Sequence, residues 1–307
     1  MINIVKNRYL YFGLSLLVII PGMITLIIWG LPLAIDFTGG SLLEISFDDP
    51  SIRPLASEVI DLYSQLGYPD ALVQTSGESG LIIRTKHMNE SEQANLVEAI
   101  EEKYNTKITV QSFESVGPSV GKEVATRAAG AVALAAIAIT AYITYAFRGV
   151  QHAFRYGVSA IIAMLHDVAV VIGMEAIFGH FLGWEVDSLF LSALLTVIGF
   201  SVHDSIVVFD RIRENSMTYR RLPYETLVNH SIVQTLDRSI NTQLTVMLTL
   251  LSLVLFGGVT IKHFALILLI GVFSGTYSSI FNASPILVVW ENKEWRTWFR
   301  KKEAKAV

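Results

Sequence analysis

Hydrophobic residues are concentrated in six stretches of this chain, at approximately 10–31, 124–147, 153–178, 188–209, 238–257 and 263–290. Each reaches or exceeds the roughly 20 apolar residues that a helix needs to cross a bilayer core ~30 Å thick. The pattern predicts an α-helical polytopic membrane protein with six transmembrane helices. Between helices 1 and 2 lies one long segment, 36–123, in which apolar and polar residues alternate over much shorter distances. Leu42, Ile45 and Phe47 suggest a strand, while Leu55, Val59, Leu62 and Leu66 recur at helical spacing. Residues 71–86 read as two strands around a turn from Gly77 to Gly80. A second helix is predicted over 90–104, with Ala94, Val97 and Ile100 along one face and capping residues from Asn89 to Glu92 at its start. A last strand over 108–113 completes the βαββαβ order of an α+β, ferredoxin-like domain. The chain thereby divides into 1–35, an N-terminal segment with the first helix; 36–123, the α+β domain; 124–290, five membrane helices; and 291–307, a basic tail.

Composition supports this division. Hydrophobic residues make up 52% of the chain and charged residues 16%, whereas soluble domains carry about 25% charged residues. A net charge of −4 offers no basic surface for nucleic acid, which is excluded as a partner. There are no cysteines, so disulfides, thiolate nucleophiles and cysteine metal sites are ruled out. No His-rich metal spacing, phosphate-binding glycine loop or Ser/His/Asp order is present, and no metal, cofactor or enzymatic activity is expected. The apolar run from Tyr9 to Ala34 follows Lys6 and Arg8 as a signal peptide would. It is too long for a signal region of about 7–15 residues and has no Ala-x-Ala site, so it reads as a retained membrane anchor.

Lys and Arg in the short flanks fix an expected orientation, because positively charged loops stay in the cytoplasm. Lys6 and Arg8 precede helix 1, Arg148 and Arg155 flank the turn between helices 2 and 3, Arg211, Arg213, Arg220 and Arg221 follow helix 4, and Lys293 to Lys305 form the tail. Both termini are therefore expected in the cytoplasm and 36–123 outside it.

The candidate chemistry sits inside the membrane. Asp204 lies about one and a half turns inside the fourth apolar run. A carboxylate at the bilayer centre costs at least ~2.5 kcal/mol on insertion scales, so such residues face the bundle and mark ion pathways. On the fifth run, Arg238, Thr242, Thr245, Thr249 and Ser252 share one helix face. This face offers a counter-charge for Asp204 and a row of hydroxyls able to order a file of water for protons. The bland alternative is ordinary interhelical hydrogen bonding and an arginine reaching for the interface. His166 and Asp167 add an ionisable site in helix 3, able to relay protons or tether helices. In helix 6, Gly271, Gly275, Ser279 and Ala283 form a small-residue ridge for close packing, and Ala125 to Ala141 invite the same reading for helix 2. Asp36, Gly39 and Gly40 mark the turn by which helix 1 enters the outer domain.

Several separated stretches resemble one family. The motif from Ile35 to Gly40, the pair His166 and Asp167, the string from Gly199 to Asn215, the start of helix 5 from Arg238 to Thr242, and Gly275 to Ser279 are all similar to SecF proteins. The resemblance spans nearly the whole chain. It implies a subunit of the SecDF protein-export complex, within the resistance-nodulation-division superfamily. Implied partners are SecD, the SecYEG translocon, the preprotein and membrane lipid, with YajC and YidC as further candidates. The implied place is the bacterial inner membrane, where proton flow through the SecF and SecD interface drives motion of the outer domains late in translocation. Asp204 and Arg238 match ion-pathway positions of the family. The sequence departs from the family at His203, where Asn is frequent, and at Ser239, Gln243 and Val246 in helix 5. An imidazole titrating near pH 6.5 would tune proton uptake or serve as a hydrogen-bonding substitute. Protons and sodium are not distinguished by sequence.

Three rival classes fit less well. An intramembrane aspartyl protease needs paired carboxylates, which Asp167 and Asp204 supply, but Asp204 follows Ser-Val-His in place of Gly-x-Gly. A proton-coupled exporter would need about twice this chain. A structural scaffold leaves the cost of Asp204 unexplained.

Overall fold

The computed structural model describes residues 2–148 and 153–296, so part of the basic tail, from 297 onward, and residues 149–152 of the turn after helix 2 lie outside the described residues. The chain forms two compact units, Leu33–Gly130 and the remainder.

In the smaller unit a single helical turn, α2 (Ile35–Thr38), leads into β1 (Gly40–Phe47), α3 (Ala56–Gln65), β2 (Leu72–Ser76), β3 (Gly80–Thr85), α4 (Glu90–Tyr104) and β4 (Ile108–Val116). The sheet is antiparallel in the order β2-β3-β1-β4, the ferredoxin-like arrangement. Strand β1 is central because its alternate residues Leu43, Ile45 and Phe47 are all buried. Leu42, which the hydrophobic pattern placed with Ile45, faces the other side, as the two-residue period of a strand requires. Val59, Leu62 and Tyr63 of α3 and Leu96 and Ile100 of α4 close the core over that face. The expected core residues Leu55, Leu66 and Ala94 lie outside it: Leu55 and Leu66 cap the ends of α3, and Ala94 lies off the buried stripe of α4. At the start of α4, Asn89 accepts from the Glu92 amide (2.9 Å) and Glu92 accepts from the Asn89 amide (2.8 Å), a reciprocal cap.

The membrane unit contains α1 (Arg8–Trp29), the later part of α5 (Pro118–Ala146), α6 (Ala153–Leu182), α7 (Ser188–Thr218), α8 (Tyr224–Phe256), α9 (Val259–Ser278) and α10 (Ser284–Glu291). Helices α9 and α10 are one span joined by a π turn at Ser279–Ala283, so six spans are present among the described residues. Pro285 explains the turn, since it has no N–H and its ring presses on the preceding turn. The turn also interrupts the four-residue ridge expected to run from Gly271 to Ala283. Helices α6, α7 and α9 form the centre, α1 packs on α6, and α8 packs on α7 and α9. Gly22 of α1 and Gly173 of α6 meet so closely that a Cβ on Gly22 would stand 2.7 Å from the Gly173 Cα. Much of the alanine-rich face of α5 is exposed, and beyond Gly130 only Ile143 of this helix is buried.

Helices α7 and α8 continue well past the apolar runs at 209 and 238. Hydrogen bonds across the pair hold this polar extension: Asn215 Nδ2 donates to Ser231 Oγ (2.8 Å) and Gln234 Oε1 (2.9 Å), and Arg211 Nε donates to Gln234 Oε1 (2.7 Å). Nearby, Asn229 Oδ1 accepts from the amides of Ile4 (2.8 Å) and Val5 (3.3 Å). Arg8 grips Glu294 through two donors, at 2.6 and 3.1 Å, and also reaches Glu225 at 3.2 Å.

Candidate functional site in the helix bundle

Two buried carboxylates organise the interior. Asp167, halfway along α6, has no exposed surface. Ser274 and Ser278 of α9 donate to its two oxygens at 2.6 Å each, and His166 Nδ1 lies 3.0 Å from Oδ1. Ser274 and Ser278 are one turn apart and so share a face, which explains how one helix serves both oxygens. Asp204, on the buried side of α7, accepts from Gln243 Nε2 of α8 at 2.5 Å. Ser201 and Ser205 are buried on the same side of α7, and their hydroxyls have no protein partner among the described residues.

Glycines let these groups converge. A Cβ on Gly271 would collide with Val197 of α7, and one on Gly275 would stand 3.3 Å from the Ser201 Cα. Helix α9 thus lies against α7 on one side while its serines reach Asp167 on the other. Asp167 and Asp204 belong to neighbouring, packed helices, α6 and α7. Each nevertheless keeps its own hydrogen-bond donors, unlike a pair of carboxylates that activates one shared water.

The remaining expected site residues fall elsewhere. Arg238 is exposed and forms no ion pair with Asp204 among the described residues. Thr242, Thr245, Thr249 and Ser252 are exposed too, each hydroxyl donating to the carbonyl four residues earlier at 2.8–3.0 Å. These residues do share a face, but it points away from the bundle, and Gln243, about 100° around the helix from Thr242, points in. His203 is also exposed, turned about the same angle away from Asp204. Ser279 is buried and bonds to the Thr276 carbonyl at 3.1 Å, a packing role within the π turn. Sequence reasoning missed Gln243, Ser274 and Ser278 as carboxylate partners. The i, i+4 serines were a usable signal, whereas Gln243 stood out only as a departure from the family pattern.

The turn at Gly39 and Gly40 proves to be a steric requirement. Gly39 has φ +74° and Gly40 φ +137°, values that favour glycine. A Cβ on Gly39 would come within 2.6 Å of the Pro118 Cα, and one on Gly40 within 2.8 Å of the Thr85 carbonyl. Asp36 is half-buried in the turn that precedes them.

Residues 96–293 match the family described as "Protein export membrane protein SecD/SecF, C-terminal", and 27–51 match "SecD/SecF GG Motif". The chain is 57% identical over 302 residues to the protein translocase subunit SecF of Anaerolinea thermophila, covering 98% of each. The chain belongs to the SecF family of protein translocase subunits. Its SecF-type sequence is also 35% identical to the protein translocase subunit SecDF of Thermus thermophilus, covering 86% of this chain and 35% of that one. The crystal structure of SecDF from the same organism, called a translocon-associated membrane protein, superposes with a TM-score of 0.82 at 33% identity. The SecF-family chain is covered over 95% of its length and spans 39% of that solved chain. It is thus a multi-pass membrane protein of a family that acts in protein translocation. The SecD/SecF pattern encloses Asp167, Asp204 and Gln243, and the GG pattern encloses the two glycines with φ above zero.

Proposed function

We propose that this chain is the SecF half of a SecDF complex in the bacterial inner membrane and that Asp204 and Asp167 carry protons through it. The observation that carries this reading is the contrast between the two faces of α8. Gln243 seals Asp204 on the buried face, while Arg238 and its hydroxyl row are exposed on the other. An arginine left to lipid in a membrane helix is costly, and the hydroxyl row beside it suits a helix–helix contact, so this face favours a protein neighbour. A SecD chain is the neighbour of matching chemistry, as the fused relative supports. With it in place, Arg238 and Thr242 to Ser252 line a seam against the partner, one layer of helix away from Asp204.

In this arrangement both termini face the cytoplasm and residues 36–123 face outward, following the Lys and Arg distribution. Each proton moving down the potential releases about 2.3 kcal/mol per 100 mV, enough for a few protons to reverse a packing change of several kcal/mol. That change would be carried to the outer domains, which pull on a preprotein leaving SecYEG. YajC and YidC are proposed as accessory neighbours.

Vesicles reconstituted with the partner subunit and SecYEG test the reading. Asp204→Asn should abolish potential-dependent preprotein release and leave ATP-dependent initiation and assembly intact. Arg238→Met should behave alike. A release rate unchanged in Asp204→Asn overturns the mechanism, and full activity in Arg238→Met removes Arg238 from the path.

A further inference from the structure

A second titratable pair lies at the opposite end of the α6–α9 seam from the basic flanks. Glu175 of α6 has no exposed surface, although it is a carboxylate in a membrane helix. Its Oε2 lies 3.0 Å from Nε2 of His263, in the first turns of α9. Its second oxygen, Oε1, is buried with no protein partner among the described residues. His263 is the exposed member of the pair: its side chain keeps 16% of its surface, and its ring rests on Trp184 of the loop before α7, with centroids 4.4 Å apart. A helix tie needs neither an unpaired buried oxygen nor a partially exposed imidazole.

The pair shares the α6–α9 seam with Asp167. Glu175 and Asp167 are eight residues apart on α6, a rise of about 12 Å. His263 and Ser274, eleven apart on α9, face the same way. Apolar side chains lie along the seam between the two sites, Val171 on α6 and Ile267 on α9, both buried. The titratable groups that accompany the pair at this end are His180, stacked on Trp29 at 3.6 Å; Asp187, capping the Phe190 amide at 2.7 Å; half-buried Glu185; and Lys262, exposed. Helix α1 brings none between Tyr11 and Trp29.

We infer that Glu175 and His263 form the outer proton-loading site of this subunit, held apart from Asp167 by a dry apolar gate. The inference rests on the proton-carrying role proposed above for Asp167 and Asp204. At rest the pair holds one proton between Oε2 and Nε2 and is neutral overall. A proton from outer water adds to make the carboxylic acid and the imidazolium. When the gate hydrates, the surplus proton leaves to the Asp167 carboxylate and the pair returns to neutral. No redox partner is required.

The test measures proton uptake and potential-dependent release by the native complex in vesicles while the outer pH is varied across the histidine range, from about 5.5 to about 8. Glu175→Gln and His263→Phe should each lower uptake about tenfold or more at the high end, as loss of a proton-transfer group does, with partial recovery at the low end. Glu175→Met combined with His263→Leu replaces the pair by apolar bulk, which preserves a purely structural contact. Uptake should stay low in that double variant although the complex assembles. Wild-type uptake in the double variant, or in Glu175→Gln at every pH, overturns the inference. Failure of all variants to assemble assigns the pair to packing and overturns it as well. Asp204→Asn in the same vesicles separates the two ideas: if it retains uptake, the underlying proton reading fails, and if it is inactive while Glu175→Gln is normal, only the loading site fails.

Discussion

The hydrogen bond from Gln243 to Asp204 is the sole protein donor to that carboxylate among the described residues, and both side chains are buried. Replacing a donor to a buried acceptor strands the acceptor at a cost of about 1–3 kcal/mol, more when it is charged. Gln243→Leu should therefore lower the thermal midpoint of the purified complex and slow potential-dependent release, while Gln243→Glu, which keeps the shape but adds a second carboxylate, should slow release further. Release at the wild-type rate in both would show that Asp204 does not depend on this contact. The contact was hidden in the sequence because amide and threonine stand side by side on α8. A 3.6-residue period identifies which residues share a face, but the side on which the bundle lies depends on neighbouring helices. Asp204 itself was legible, since a charge is too costly in an apolar run to be placed there without a use.

Span six shows how an element departs from its pattern. Gly271 and Gly275 do approach α7, yet the ridge stops where the π turn inserts a residue ahead of Pro285. Ser284 Oγ donates to the Ser279 carbonyl at 3.2 Å, a side-chain bond that spans the widened turn. Ser278, a hydrogen-bond donor to Asp167, is the residue immediately before it. Pro285→Ala restores a donor and should favour a regular helix, rotating Ser278 relative to Asp167. The expected result is slower potential-dependent release from a complex that assembles normally, and an unchanged rate would leave the turn without a role in transport. Pro285 in an apolar run is a signal by which a kink could have been found, although its form as a π turn depends on packing against α6 and α7. The α+β domain was more legible, since its core follows local periods; the residues misplaced are Leu55 and Leu66 at the ends of α3, Ala94 on the outer side of α4 and Leu42 on the far face of β1.

Across the whole molecule, the first and last spans are joined by Arg8 and Glu294. Burial alone would raise the Glu294 carboxyl, but hydrogen bonds from Arg8, Tyr9 and Asn292 and the charge of Arg8 outweigh it and hold the group below the usual carboxylate range. A carboxylate with a depressed folded pKa stabilises the fold above its unfolded pKa and loses that contribution as pH falls through the folded value. Thermal unfolding of the purified complex should therefore show a loss of stability on acidification below the usual carboxylate range that is reduced in Glu294→Gln. An identical acid profile in the variant would remove Glu294 from the acid response. The same clamp sets an order of assembly. Arg8 and Glu294 are separated by 286 positions and Asn229 holds amides 224 and 225 positions away, so at about 5–20 residues per second the ribosome releases the second half of the clamp roughly 15–60 s after the first. Asn229 and Glu225 are available to hold the segment before α1 well ahead of Glu294, so the clamp closes in two stages, first on α8 and then beyond the last span.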